Sequence, residues 1–303
     1  MNTLIQTALE LGLISSVVAL GLFLSYTMLD ICDLSTEGCF TLGACTGAVI
    51  AIGGHPYTSL LGALVAGALC GFVFGLLQTY FGINSLLAGI VVNTALYSVN
   101  IAIMGNTSLL NMNKTETVFT NLKELLESTP LNNKHVLLFA LFVIVVLVVL
   151  LNWFLKTRLG LAIRATGDNF KMVETSSINP KVITIITLSI SGSISALAGC
   201  LLAQSQKSVN IDIGSGILTI ALASLLIGRT LNRSRSLMIS ETFVVIGSII
   251  FRTIYTIALR LNMPAYMLKF VSALIVTIAI SFPYLKQQYS LIKRKRNIYA
   301  ETE

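Results

Sequence analysis

The stretch LDICDLSTEGCFTLG, residues 29–43, sets Asp30, Asp33 and Glu37 within eight residues, with almost purely apolar sequence on both sides. Its reading decides the fold. A charge at the centre of a bilayer costs at least ~2.5–3.5 kcal/mol on insertion scales. Three such charges do not belong on a lipid-facing helix. The stretch is therefore either a short turn at a membrane face or a helix break that lines a water-filled cavity.

The surroundings establish that a membrane is involved. Hydrophobic residues make up 55% of the 303 residues and charged residues 11%, with a mean hydropathy of +0.85. A soluble chain of that composition has too little polar surface to cover its core. LGLISSVVALGLFLSYTML (11–29) and VLLFALFVIVVLVVLLNWFL (136–155) each reach the roughly 20 residues that a transmembrane helix needs. The first lacks a basic leading region and is followed by further spans, so it does not read as a cleavable signal peptide. The five cysteines (Cys32, Cys39, Cys45, Cys70 and Cys200) form no CxxC pair and read as small packing residues rather than disulfides or metal ligands.

Apolar segments fall near 7–29, 38–54, 58–81, 85–105, 135–155, 180–204, 213–230, 237–258 and 264–284. The expectation is an all-α polytopic transmembrane bundle of about nine spans, within a range of eight to ten. A transmembrane domain would cover 1–285 and a basic cytoplasmic tail 286–303. The formal charge of +7 does not point to nucleic acid, because of where the basic residues lie. None precedes Lys114; later ones gather in 156–181, 229–235 and 286–296. The positive-inside rule puts all three patches, and the C-terminus, in the cytoplasm of a multi-pass plasma-membrane protein. A polybasic tail also suits contact with anionic lipid. The N-terminus comes out external if five segments precede Lys156, and a broken second segment would upset that parity. The polar segment 106–134 reads as an external connector with a short helix at KELLE (123–127).

Small residues recur every fourth position in the third segment (Ala63, Gly67, Gly71, Gly75), a stripe that lets two helix backbones approach. Ile-Asn steps open both FGINSLLAG (81–89) and SSINPKVIT (176–184), a faint sign of an internal repeat. Catalytic signals are missing: two distant histidines, no HExxH, no GxSxG and no GxxxxGK[ST] loop. No catalytic residue, metal or cofactor is expected, and any ATP hydrolysis must come from another subunit.

The strongest polar feature on the basic side is TRLGLAIRATGDNFKMVETSSINP (157–180). Leu161, Ile163, Ala165 and Met172 interleave with Arg164, Asp168, Asn169 and Lys171. Asp168 or Asn169 is placed to cap a helix starting at Phe170, and Pro180 to open the next one. The segment is either an interfacial loop helix or a protrusion that takes force from a cytoplasmic motor. Here the chain resembles the coupling region of ATP-binding-cassette (ABC) importer permeases of the branched-chain amino acid and ribose permease superfamily. ALGLFLSYTMLDICDLSTEGCFTLGA (19–44), SLLAGIVVNTALYSVNIAIMG (85–105) and IALRLNMPAYMLKFVSALIVTIAISFP (257–283) carry the resemblance along nearly the whole chain. The chain most resembles the single-permease group proposed to import tryptophan and tyrosine, and RATGDN is the most diagnostic piece.

The resemblance implies ATPase subunits docking on Arg164, Ala165, Thr166, Gly167, Asp168, Asn169 and Met172. It also implies an external substrate-binding protein or lipoprotein and alternating access. A second copy of the chain follows most simply, since two motors need two docking sites. It further implies a discontinuous second segment beside the path, where Asp33, Ser35, Thr36 and Glu37 offer polar contacts. Asp33 or Thr36 as a plain helix cap is the alternative for those two. Asn93 and Asn100 share a helix face with Tyr97, and serve either the path or interhelical bonding. Gln204 and Gln206 close the sixth segment on the outer side. Arg252 lies deep in the eighth segment, open to pairing with Glu241 or the 30–37 carboxylates. A competing function is an ion-coupled secondary transporter using Asp30, Asp33 or Glu37. The orientation itself is testable: a cysteine placed at Asn297 should resist an impermeant thiol reagent until cells are permeabilised. Labelling in intact cells would invert the topology.

Overall fold

The computed structural model describes residues 2–125, 134–231, 236–260, Met267, 270–278 and Ser281. The chain is an all-α polytopic membrane bundle. Among the described residues, six helices are long and apolar enough to cross a bilayer. The first is α1 (Asn2–Leu22) continued by a π-helical turn, Phe23–Met28. The others are α3 (Pro56–Thr79), α4 (Ser85–Ile103), α6 (His135–Leu155), α9 (Pro180–Gln206) and α11 (Leu237–Arg260). Two apolar helices are shorter, α2 (Thr36–Ile52) and α10 (Ile217–Leu231). The ninth apolar segment is helical over 270–278, and the basic tail lies outside the described residues.

Local chemistry sets the helix starts. Pro56 and Pro180 occupy first-turn positions of α3 and α9, where the missing N–H is no loss. The Asn84 side chain accepts from Leu86 N–H and the Asn179 side chain from Lys181 N–H, each at 3.0 Å. Both Ile-Asn steps are therefore N-caps, worth ~1 kcal/mol each.

Most of α1 and α9 is buried, whereas α3, α4, α6 and α11 turn broad faces outward. Those faces carry Leu61, Val65, Phe142, Val149 and Trp153, side chains suited to lipid. Around α9 the helices meet backbone to backbone. A Cβ on Gly67 would overlap the Gly192 carbonyl, one on Gly71 the Leu188 carbonyl, and one on Gly199 the Phe40 carbonyl. The stripe in α3 is thus a packing surface, as its spacing indicates. Serines add interhelical bonds: Ser191 Oγ donates to the Gly21 carbonyl and Ser248 Oγ to the Gly12 carbonyl, both at 2.8 Å.

The fold departs from the sequence reading in several places. Cys39 and Cys70 are paired as a disulfide between α2 and α3, so these two are not merely packing residues. Strand β1 (Leu109–Asn111) pairs antiparallel with β2 (Ser208–Asn210), closing one end of the bundle with a two-stranded ribbon. The connector helix α5 spans Val118–Leu125, five residues earlier than KELLE suggests, because Val118 and Phe119 bury against the bundle. Phe119 meets Phe139 edge-on at 5.4 Å. Arg252 pairs with neither proposed carboxylate: its Nε donates to Ser15 Oγ on α1 at 2.8 Å and its guanidinium lies 5.6 Å from the Tyr255 ring. Glu241 is roughly 16 Å away along the same helix.

Replacing Gly71 by Leu should lower the melting temperature of the detergent-solubilised protein by roughly 5 °C or more, as overpacking costs ~1–3 kcal/mol. Leu61→Ala, on an outward face, should melt like the parent. Equal melting of the two variants would mean that α3 and α9 do not pack through this stripe.

Candidate functional site: a polar cavity between two helix starts

The opening stretch proves to be both a turn and a break. At one end, Met28 lies against α7 (Arg158–Asp168), where a Cβ on Gly167 would overlap the Met28 carbonyl. At the other end the chain has entered the bundle. Gly43 packs on Ala196 and Gly47 on Cys200, so α2 and α9 run in the same sense. That register sets Thr36 roughly 13 Å along α9 from Pro180. Residues 29–35 climb this distance without helical structure.

Their polar groups are satisfied internally, as hydrocarbon requires. Asp33, 1% exposed, accepts from Ser35 N–H at 2.8 Å and from Ser35 Oγ at 2.5 Å. Thr36 Oγ1 donates to the Asp33 carbonyl at 2.9 Å. Asp33, Ser35 and Thr36 therefore form a closed turn at the start of α2, which fits the capping alternative.

A second break meets the first. Beyond β2, residues 211–216 turn back into the bundle through three-residue steps: Ile213 N–H to Asn210 O, Ser215 N–H to Asp212 O and Ile217 N–H to Gly214 O. Helix α10 starts at Ile217, four residues inside the apolar run 213–230. Gly214 packs on the Glu37 carbonyl and on Thr41, and the Gly216 N–H donates to Glu37 Oε1 at 3.0 Å. The positive ends of two helices thus face one carboxylate, the favourable arrangement for a helix macrodipole.

Beside this junction lies a cavity of about 440 Å³. Helix α2 contributes Glu37, Gly38 and Thr41; α4 contributes Asn93, Thr94, Tyr97, Ser98 and Asn100; the returning segment contributes Asp212 and Ser215. Gly38 allows α4 to approach, since a Cβ there would sit 2.7 Å from Asn93 Oδ1. Asn100 is 1% exposed and its Oδ1 has no hydrogen-bond partner. Two carboxylates and no cationic side chain line the space.

Four of the residues singled out by sequence, Glu37, Asn93, Tyr97 and Asn100, come together here. Gln204 does not. It is 1% exposed and bonds Ser59 Oγ at 2.7 Å and Val118 N–H at 3.0 Å, tying α9 to α3 and α5. Asp212 and Ser215 escaped the sequence reading. Their signal is NIDIGSG (210–216), a Gly- and Asp-rich run at the edge of an apolar segment.

The segment 157–180 folds as two helices, α7 and α8 (Phe170–Glu174). Thr157 Oγ1 accepts from Gly160 N–H at 3.4 Å, and Asn169 Oδ1 accepts from Met172 N–H at 3.0 Å, so Asn169 is the cap of α8. Ala162, Ile163 and Thr166 face the bundle, whereas Leu161, Arg164, Ala165, Asp168 and Asn169 are exposed. Met172, 71% exposed, stands furthest out.

Residues 4–280 match the family described as "Branched-chain amino acid transport system / permease component". A tyrosine transport system permease protein of Clostridioides difficile is 33% identical over 88% of this chain and 86% of its own length. An uncharacterized protein of Rickettsia prowazekii is 33% identical over 93% of this chain and 98% of its own. A fructose import permease protein of Bifidobacterium longum is 27% identical over 89% of this chain and 75% of its own. No solved structure matches. With the family model spanning nearly the whole bundle, the chain belongs to the permease components of branched-chain amino acid transport systems.

Proposed function

We propose that the chain is one half of a homodimeric ABC importer for amino acids, with aromatic amino acids as the favoured cargo. The observation that carries this reading is the direct packing of Gly167 on the Met28 carbonyl. Through that contact a protruding helix pair reaches the segment that leads to Glu37 and the polar cavity. ATPase subunits would dock on Arg164, Ala165, Asp168, Asn169 and Met172 around the apolar tips of Leu161 and Phe170, both exposed. Thr166 and Gly167 would pass the stroke inward. Hydrolysis stays on those separate subunits.

The cargo class follows from the cavity chemistry. Glu37 and Asp212, unopposed by Lys or Arg among the lining residues, favour a positively charged group. An amino acid supplies an ammonium, and the exposed N–H groups at the two helix starts suit its carboxylate. Tyr97 offers a face for an aromatic side chain. The name of the relative in C. difficile supports tyrosine. An external binding protein would deliver the amino acid to the ribboned end, and the outward face of α4 would meet the second copy. In this arrangement there are nine spans over residues 1–285, the second interrupted at 29–35. The basic tail 286–303 is cytoplasmic, in contact with lipid.

Uptake in proteoliposomes with the ATPase and binding protein present tests the path. Glu37→Gln should reduce uptake by about tenfold at normal expression, as a hydrogen bond to a charged group is worth ~1.5–3 kcal/mol. Unchanged uptake would remove Glu37 from the path. Uptake driven by an ion gradient without ATPase would instead favour a secondary transporter.

Gly167→Ala tests the coupling. The added methyl must displace the Met28 backbone, so ATP hydrolysis should continue while uptake is lost. Normal uptake would reduce 157–180 to an interfacial loop.

A further inference from the structure

A second cavity, of about 330 Å³, lies at the opposite end of the bundle, where α7 and α8 meet the tips of α3 and α9. Asp30, Lys181, Gln78, Gly167 and Phe170 stand in its wall. Neither Glu37 nor any other wall residue of the first cavity reaches it.

Three observations mark it as a built site. Asp30 is held at φ 56°, in the left-handed region where a non-glycine residue is uncommon and where strain points to use. Its carboxylate makes no ion pair among the described residues. Lys181 reaches the same space from the first turn of α9, its ammonium 5.7 Å from the Tyr80 ring centroid. Gln78 Oε1 is buried there with no hydrogen-bond partner. The cavity thus presents an anion, a cation and an orphan amide acceptor, with Leu29, Ile31 and Phe170 as apolar wall. That set complements a molecule with an ammonium, a carboxylate and an apolar or aromatic side chain. A sugar would leave both charges unpaired in a partly desolvated space, which is costly.

We propose that this cavity is a regulatory site for a free amino acid on the cytoplasmic side. Because Gly167 and Phe170 belong to α7 and α8, an occupant wedges the coupling helices against the bundle and halts the motor stroke. Accumulated cargo then stops its own import. The inference rests on the proposed import function for the identity of the inhibitor, and on the cavity alone for the existence of the site.

The test uses the permease with its ATPase subunits in nanodiscs, without the external binding protein. Probes are L-tyrosine, L-phenylalanine and L-leucine, with tyramine (no carboxylate) and 3-(4-hydroxyphenyl)propionate (no ammonium) as controls. At least one amino acid should inhibit ATP hydrolysis, and the two controls should need roughly tenfold higher concentration, as expected when one charge-assisted contact is lost. Asp30→Asn and Lys181→Gln should each raise the half-inhibitory concentration by roughly tenfold with hydrolysis in the absence of probe unchanged. Asn tolerates the left-handed backbone, so Asp30→Asn should keep the parent melting temperature.

Controls as potent as the amino acids, variants with unaltered inhibition, or no inhibition by any of the three would overturn the proposal. Binding of radiolabelled amino acid to the permease alone that vanishes in the ATPase complex would overturn it too, by showing that the motor fills the cavity. Uptake of amino acids without inhibition sinks this inference and leaves the importer reading. Inhibition without uptake does the reverse.

Discussion

Close approach of helix backbones along α9 is the constraint on which the rest of the structure depends. In lipid the hydrophobic effect does not pull helices together, so association rests on packing and interhelical hydrogen bonds. Gly67, Gly71 and Gly75 of α3, Gly43 and Gly47 of α2, and Gly192 and Gly199 of α9 itself remove the side chains that would hold the axes apart. The Ser191–Gly21 hydrogen bond then fixes α1 against the same helix. With α9 surrounded, α2 and α10 need not cross the bilayer alone. Each is too short to do so, and each begins inside the bundle.

Beginning inside is what creates the site. A helix start presents unpaired N–H groups, and hydrocarbon offers nothing to receive them. At α2 the turn of Asp33, Ser35 and Thr36 closes part of that deficit. At α10 the Glu37 carboxylate closes another part. The same carboxylate therefore holds the fold together and faces the cavity. A polar site in a membrane protein does not require a polar helix; it requires two helix ends that neutralise each other beside a space.

Much of this was legible in sequence, for physical reasons that differ by element. Long apolar runs such as 136–155 and the Gly-every-fourth stripe are periodic signals, and both mean in the structure what they mean in the sequence. The caps at Asn84, Asn169 and Asn179 are local chemistry and were equally readable. The acidic cluster at 30–37 announced a break because the cost of burying charge leaves few alternatives. Residues 211–216 were harder, since Ile211 and Ile213 keep the run apolar while Gly214 and Gly216 interrupt it. The β1–β2 ribbon joins segments about a hundred residues apart, and no local pattern in either strand names its partner. Gln204 shows the limit for side chains: its position near a span end was apparent, but only the approach of Ser59 and Val118 makes it a tie between helices.

The π-helical turn Phe23–Met28 connects these themes. A π-turn inside an otherwise α-helical element often marks a functional site, because its looser hydrogen bonding permits a change of register at low cost. Here it lies at the one place where α1, anchored on α9 and α11, passes into the unpaired link 29–35. Gly167 presses on its last carbonyl, and the link runs from that carbonyl to Asp33 and then to Glu37. A displacement of α7 therefore meets a compliant turn first and a rigid, fully hydrogen-bonded cap second. Compliance next to α7 lets that helix move without unpacking α1. Rigidity next to Glu37 means that whatever motion passes the turn arrives as a movement of the α2 start relative to α10, at the wall of the cavity itself.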